Sequence, residues 1–204
     1  MAGVAYSQPF SFGLKGGMPL TDFVDVVHAQ NISASTTTNR YIVGPTAELR
    51  LPFGLGVEVD ALYRHFSYNS SSVISTIATN LTNIDTTSGS WEFPILAKYR
   101  FKGKIIHPYV SAGVAWNTLS GLTQTVTSVI NNVTKTNSTS NPAELANTTT
   151  RGFVLGGGVE VKALVIRIAP EIRYTRWGAR QFIDPVGLVN SNQNQAEFLV
   201  GITF

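Results

Sequence analysis

Eight stretches of about ten residues alternate apolar and polar positions with a period of two, the mark of strands with two unlike faces. They are Phe10–Met18, Arg40–Leu51, Leu55–Phe66, Trp91–Lys102, Pro108–Asn117, Gly152–Lys162, Val165–Trp177 and Gln195–Phe204. Helical periodicity is nearly absent, and Phe23 to Gln30 is the one short candidate. Three connections are short: Pro52-Phe53-Gly54, Gly103 to His107 and Ala163-Leu164. The other four, at about 19–39, 67–90, 118–151 and 178–194, are long. Because long and short alternate strictly, all long connections fall at one end. The pattern predicts an all-β fold, an eight-stranded antiparallel up-and-down barrel with long loops at one end and tight turns at the other. The Ser/Thr/Asn-rich tracts 67–89 and 123–150 read as exposed, mobile loop. Six Asn-x-Ser/Thr triplets, at Asn31, Asn69, Asn80, Asn132, Asn137 and Asn147, follow from that composition, and glycan attachment is not the expected reading.

Alternation does not say which face is wet. One face carries Lys15, Glu48, Arg50, Glu58, Asp60, Arg64, Glu92, Lys98, Arg100, Glu160, Lys162, Arg167, Glu171, Arg173 and Glu197, interspersed with glycines such as Gly13, Gly44, Gly113 and Gly156. Glycine weakens a strand and has no use on a convex surface. In a narrow barrel interior it makes room for long charged neighbours. The near balance of sign is what buried charge requires. The opposite face is continuously apolar. Tyr41, Tyr63, Trp91, Trp116 and Tyr174 stand at its long-loop end, and Phe10, Tyr99, Phe101 and Phe204 at its tight-turn or terminal end. Two aromatic girdles around an aliphatic band predict a face turned to lipid. Arg100, Arg167 and Arg173 are expected to pair inside with carboxylates, foremost Glu92, Glu160, Glu171 and Glu197.

Composition supports this orientation. Charged residues are 13% of the chain, about half the share of a soluble domain. No run of 18 apolar residues exists, so no helix spans a membrane. A 43% hydrophobic content excludes disorder. The absence of cysteine excludes a disulfide scaffold, a zinc–thiolate centre and thiol catalysis. A net charge of +3, dispersed along the chain, is no nucleic-acid footprint. The length of 204 residues suits one domain, placed at 10–204, with residues 1–9 read as a leader or signal-peptide remnant.

Three runs carry a family likeness: Phe10-Ser-Phe-Gly-Leu-Lys-Gly-Gly, Tyr109-Val-Ser-Ala-Gly-Val-Ala and Phe153-Val-Leu-Gly-Gly-Gly-Val-Glu. With the closing Gln195-Ala-Glu-Phe-Leu-Val-Gly-Ile-Thr-Phe204, they make the chain from Phe10 onward resemble the OmpA/OmpX-like, porin-like β-barrels of the Gram-negative outer membrane. The resemblance implies a bacterial outer-membrane location and a setting of outer-membrane lipids, lipopolysaccharide included. It also implies recognition of the C-terminal strand by the barrel-assembly machinery. It leaves oligomeric state and surface ligands open.

Chemistry is sparse. His28, His65 and His107 are isolated from one another and from metal-type carboxylate spacing, so neither a metal nor a cofactor is expected. Gly156-Gly157-Gly158 lies inside a strand, with no helix following to cradle phosphate. His65-Phe-Ser67-Tyr-Asn69 resembles the His-x-Ser-Asn run of outer-membrane lipid A deacylases. However, Ser67 should open a loop, and the next acid is Asp85. An eight-stranded barrel encloses little beyond side chains. The expected function is therefore a non-enzymatic outer-membrane barrel that presents its loops and is plugged by paired charges. A narrow pore for ions or very small solutes is the alternative, a lipid A deacylase a lesser one, and a soluble lipocalin-like binder is disfavoured.

Overall fold

Period-two alternation becomes strand in each of the eight segments. The computed structural model describes residues 9–22, 24–26, 32–74, 80–103, 105–130, 133–143, 145–163, 165–182 and 189–204. Its strands are β1 (Phe10–Pro19), β2 (Val24–Val26), β3 (Ile32–Arg50), β4 (Leu55–Asp60), β5 (Leu62–Ile74), β6 (Asn80–Arg100), β7 (Ile106–Ile130), β8 (Val133–Thr139), β9 (Thr149–Ala163), β10 (Ile166–Trp177), β11 (Val189–Ser191) and β12 (Asn194–Thr203). β4 and β5 are two halves of one stave, interrupted at Ala61 and both paired with β3 and β6. Counted so, eight antiparallel staves run β1, β3, β4/β5, β6, β7, β9, β10, β12. β12 then pairs with β1 (Gly13 opposite Thr203, Met18 opposite Phe198) and closes the barrel.

The tight turns fall where the short connections stood, the first a single turn of 3-10 helix at Pro52–Gly54. The Ser/Thr/Asn tracts depart from the expectation of loop. β5 and β6 remain paired from Leu62–Glu92 to Ile74–Asn80, and β6 and β7 up to Leu81–Val129. β3 joins on one side through Ile32 to Thr38, and β8 on the other through Val133 to Thr139. A five-stranded sheet therefore rises from one side of the mouth. β7 alone runs from Leu119 to Ile130, about 35 Å at roughly 3.3 Å per residue. Thr, Val and Ile favour this extended backbone, and the ladder satisfies every amide it pairs. What the tracts lack is an apolar face: the positions they bury, Thr86, Ser88 and Gln124, are polar. The short helical candidate is also corrected: Val24–Val26 is strand, paired with β11. Residues 1–8, 23, 27–31 and 132 lie outside the described residues, and with them most of the leader assignment and two of the Asn-x-Ser/Thr triplets.

Along each stave burial alternates with the sequence. β4 reads exposed–buried three times over, with Gly56, Glu58 and Asp60 inward. β6 turns Glu92, Leu96 and Lys98 inward and Trp91, Phe93, Ile95 and Tyr99 outward.

Candidate functional site

The lumen is where the chain concentrates its chemistry, and it is built in tiers. The lowest tier lies at the tight-turn end. Arg100 binds Glu48 and, at 3.0 Å, Glu160. Arg50 reaches Glu160 at 3.0 Å and Glu48 at 3.6 Å, and Arg167 lies 4.0 Å from Glu160. Above it, Arg173 is fully buried and touches Asp60 at 2.9 Å, Glu171 at 3.0 Å and Glu58 at 3.2 Å. Lys15 joins the same three carboxylates, and Lys98 reaches Glu58 at 2.8 Å while lying 3.8 Å over the Tyr109 ring. Tyr109 donates its hydroxyl to Glu171 at 3.2 Å. In the third tier Arg64 holds Glu92 and Glu197, each at 2.5 Å.

Of the fifteen charges placed on the inward face by the sequence, fourteen (Lys15, Glu48, Arg50, Glu58, Asp60, Arg64, Glu92, Lys98, Arg100, Glu160, Arg167, Glu171, Arg173 and Glu197) lie in ion pairs, seven bases against seven acids. The pairing itself differs in part from the expected one. Arg100 and Arg167 meet Glu160, and Arg173 meets Glu171, but Glu92 and Glu197 converge on Arg64. Strand stagger, which parity does not contain, decides which rungs meet across the lumen. Lys162, on the charged face by parity, is exposed beside the β9–β10 turn.

A fourth tier carries no charge; of its residues Phe66, in phase with Arg64 on β5, is placed inward by the periodicity, and Phe182 is not. Phe66, Leu119 and Phe182 pack together across the mouth with Leu122 and Leu145 against them, and the Phe66 and Phe182 rings stand edge-on, 6.1 Å apart. Phe182 belongs to the connection after β10. It is held there by a bridge to Leu145 and by Gln181, which donates to Asn117 Oδ1 at 3.0 Å. Trp177 is likewise buried inside, with Leu96, Ala115 and Val154. Its parity with Arg173 and Thr175 was readable in the sequence. In the lower lumen, a pocket among Lys15, Glu48, Glu58, Lys98 and Tyr109 has a volume of about 10 Å³, room for about one water.

The outer face is apolar and exposed, from Phe12 and Leu14 on β1 to Ile172 on β10 and Ile202 on β12. Tyr41, Trp91, Trp116 and Tyr174 project outward toward the mouth, with Tyr63 half-buried against Trp91 at 5.2 Å between rings. Tyr99, Phe101 and Phe204 project outward toward the turns. From Trp91 to Tyr99 is eight residues, about 20 Å of height for a strand tilted about 40°.

The sequence signature of the outer membrane protein beta-barrel domain matches residues 6–180. The chain belongs to that family. This outer-membrane barrel is similar in fold to the outer membrane protein OprG from Pseudomonas aeruginosa. The likeness has 12% identity and a TM-score of 0.56, and covers 95% of this chain and 92% of that one. Neisserial surface protein A is also similar, at 13% identity and a TM-score of 0.43, with 96% of each chain covered. Among curated protein sequences none matches this barrel. Its location is the bacterial outer membrane, so the exposed apolar face is the face toward lipid.

The deacylase-like run fails on geometry. Ser67 lies within β5 rather than opening a loop, and His65 is paired with Gly89. Asp85 pairs with Asn69, four residues further along β6 from Gly89, about 13 Å from the level of His65. At that distance it cannot orient the imidazole as a triad acid does.

Ile95 is half-way between Trp91 and Tyr99 and faces outward. Ile95→Arg should therefore destabilise the folded barrel in lipid vesicles by about 2–4 kcal/mol, as a guanidinium at the bilayer midplane does. Urea titration followed by gel mobility measures it, and an unchanged midpoint would contradict a lipid-facing Ile95.

Proposed function

We propose that this barrel is a non-enzymatic membrane anchor, closed to solutes, that carries a rigid β-sheet outside the cell. The observation behind the reading is the lumen's filling: three tiers of paired charge beneath an apolar seal of Phe66, Leu119 and Phe182. An ion entering such a lumen would have to pass between carboxylate–guanidinium pairs, beside which a pocket of about 10 Å³ is open in the lower lumen. The strands above the mouth fit the presenting role. β8 is exposed along its whole length, and its polar Thr, Asn and Ser suit a surface that stands in water. The two aromatic girdles would seat the barrel at the bilayer interfaces.

Purified barrel in planar bilayers should show no steady conductance. Opening the seal alone, by Phe182→Ala, should leave the bilayer silent because the charged tiers remain. Steady open-channel current from the unaltered protein, with ion selectivity changed by Glu171→Gln, would replace the anchor with the narrow pore.

A further inference from the structure

Two arginines break the rule that charge points inward. Arg151 on β9 and Arg176 on β10 alternate with the buried Gly152, Thr175 and Trp177, so both project from the outer wall. Among the described residues they are the only charged side chains on the outward face of the eight staves at or below the mouth. Both lie at the long-loop end. Neither forms an ion pair with a described carboxylate, whereas every inward base of the three tiers does.

Register places them side by side. Arg151 is opposite Trp116 on β7 and, on its other flank, accepts the Gly178 amide at its carbonyl (2.8 Å). Arg176 is opposite Phe153, one outward rung below Arg151. Diagonal neighbours on one face of a sheet lie roughly 7–8 Å apart at Cα, so two long guanidinium arms can meet on a single group. Arg176 is already oriented: Asn194 Oδ1 accepts from its Nη1 at 2.5 Å and from the Tyr174 hydroxyl at 2.8 Å. Arg151 borders an open cleft of about 490 Å³ whose other walls include Trp116, Asn147, Thr149 and Gly178. Below the pair the wall is apolar and broad, with Phe153 74% exposed, Leu155 60% and Ile172 60%.

We infer that Arg151 and Arg176 form a binding site for a phosphate monoester on a multiply acylated glycolipid of the outer leaflet. The phosphate would sit in the cleft, between the two guanidinium groups and beside the Trp116 indole. The acyl chains would run down over Phe153, Leu155 and Ile172. The charges match: a phosphate monoester carries about two negative charges, and planar guanidinium groups bind its oxygens in pairs. The depth matches too, since headgroup phosphates lie just above an aromatic belt, where Trp116 and Tyr174 stand. An outward arginine pair here would otherwise leave two cations at the edge of the hydrocarbon without a counter-charge.

The test uses the full barrel, refolded in neutral phosphatidylcholine vesicles doped in turn with bisphosphorylated lipid A, dephosphorylated lipid A or phosphatidylglycerol, with co-purifying lipid quantified by mass spectrometry. The unaltered protein should retain at least tenfold more bisphosphorylated lipid A than either other lipid. Arg151→Gln with Arg176→Gln should abolish that excess, and Lys135→Gln, on exposed β8, should leave it intact. Each single variant is measured beside the double one, so a folding failure of the double variant does not remove the test. Equal retention by the arginine variants would overturn the proposal. So would equal retention of phosphatidylglycerol, which would mean unspecific attraction of any anionic lipid. Competition by millimolar inorganic phosphate in place of lipid dependence would overturn it as well, assigning the pair to a soluble anion.

Discussion

Arg173→Met should destabilise the barrel by about 3–5 kcal/mol, the cost of removing one partner from a buried ion pair. Arg173 is fully buried and touches Asp60, Glu58 and Glu171 within 3.2 Å. Without it those three acids are left with only Lys15 and Lys98, one positive charge short in a tier closed to water. Glu171→Gln errs in the opposite direction, leaving one positive charge in excess and weakening the Tyr109 hydroxyl's bond. The double variant restores neutrality, so it should be more stable than the sum of the single losses requires, a coupling of about 1–3 kcal/mol. Unfolding in urea, read by gel mobility of the folded form, measures all three. Losses below about 1 kcal/mol with no coupling would mean a wet lumen, in which water replaces the missing partner.

Gly44→Ala should be comparably severe for a steric reason. A Cβ on Gly44 would lie 1.8 Å from the Ala61 carbonyl oxygen. Ala61 is where β4 gives way to β5, and its amide donates to Pro45 O at 3.0 Å. Two backbones cross there closely enough that no rotamer change relieves the clash. Overpacking costs about 1–3 kcal/mol where side chains can yield, and here only main chain could yield, so the upper end or more is expected. Gly16→Ala is the matched control: it faces outward, and its nearest contact would be Ile42 O at 3.7 Å. The expected result is normal assembly of Gly16→Ala and little folded barrel from Gly44→Ala. Equal yields would remove the close crossing as a constraint.

Which residues face inward was legible because the strand period of two fixes parity without any tertiary information. Glycine on the charged face then decided inside from outside. Parity says nothing of stagger, and so it could not foresee that Glu92 and Glu197 converge on Arg64. Nor could it place Phe182, which reaches the mouth from a connection that has no periodicity at all. The rising sheet was missed because alternation of apolar and polar residues reports a buried face, while 67–74, 80–90 and 123–130 are held by backbone pairing between polar strands. The rim arginines are visible in the sequence as two charges out of phase, and only register shows that they are neighbours.

Closure by β1 on β12 joins the first stave to the eighth, since Gly13 meets Thr203 and the Phe204 amide donates to Phe12 O at 3.0 Å. Until β12 has been made, any partial sheet keeps two unsatisfied edges, and neither can be tolerated in hydrocarbon. Folding therefore cannot proceed stepwise from the N-terminus as synthesis goes on. Its decisive contact joins residues as far apart as Gly13 and Thr203, the slowest kind of contact to form. The barrel's staves have to reach the membrane all made and unfolded, and commit to their shape in one late event.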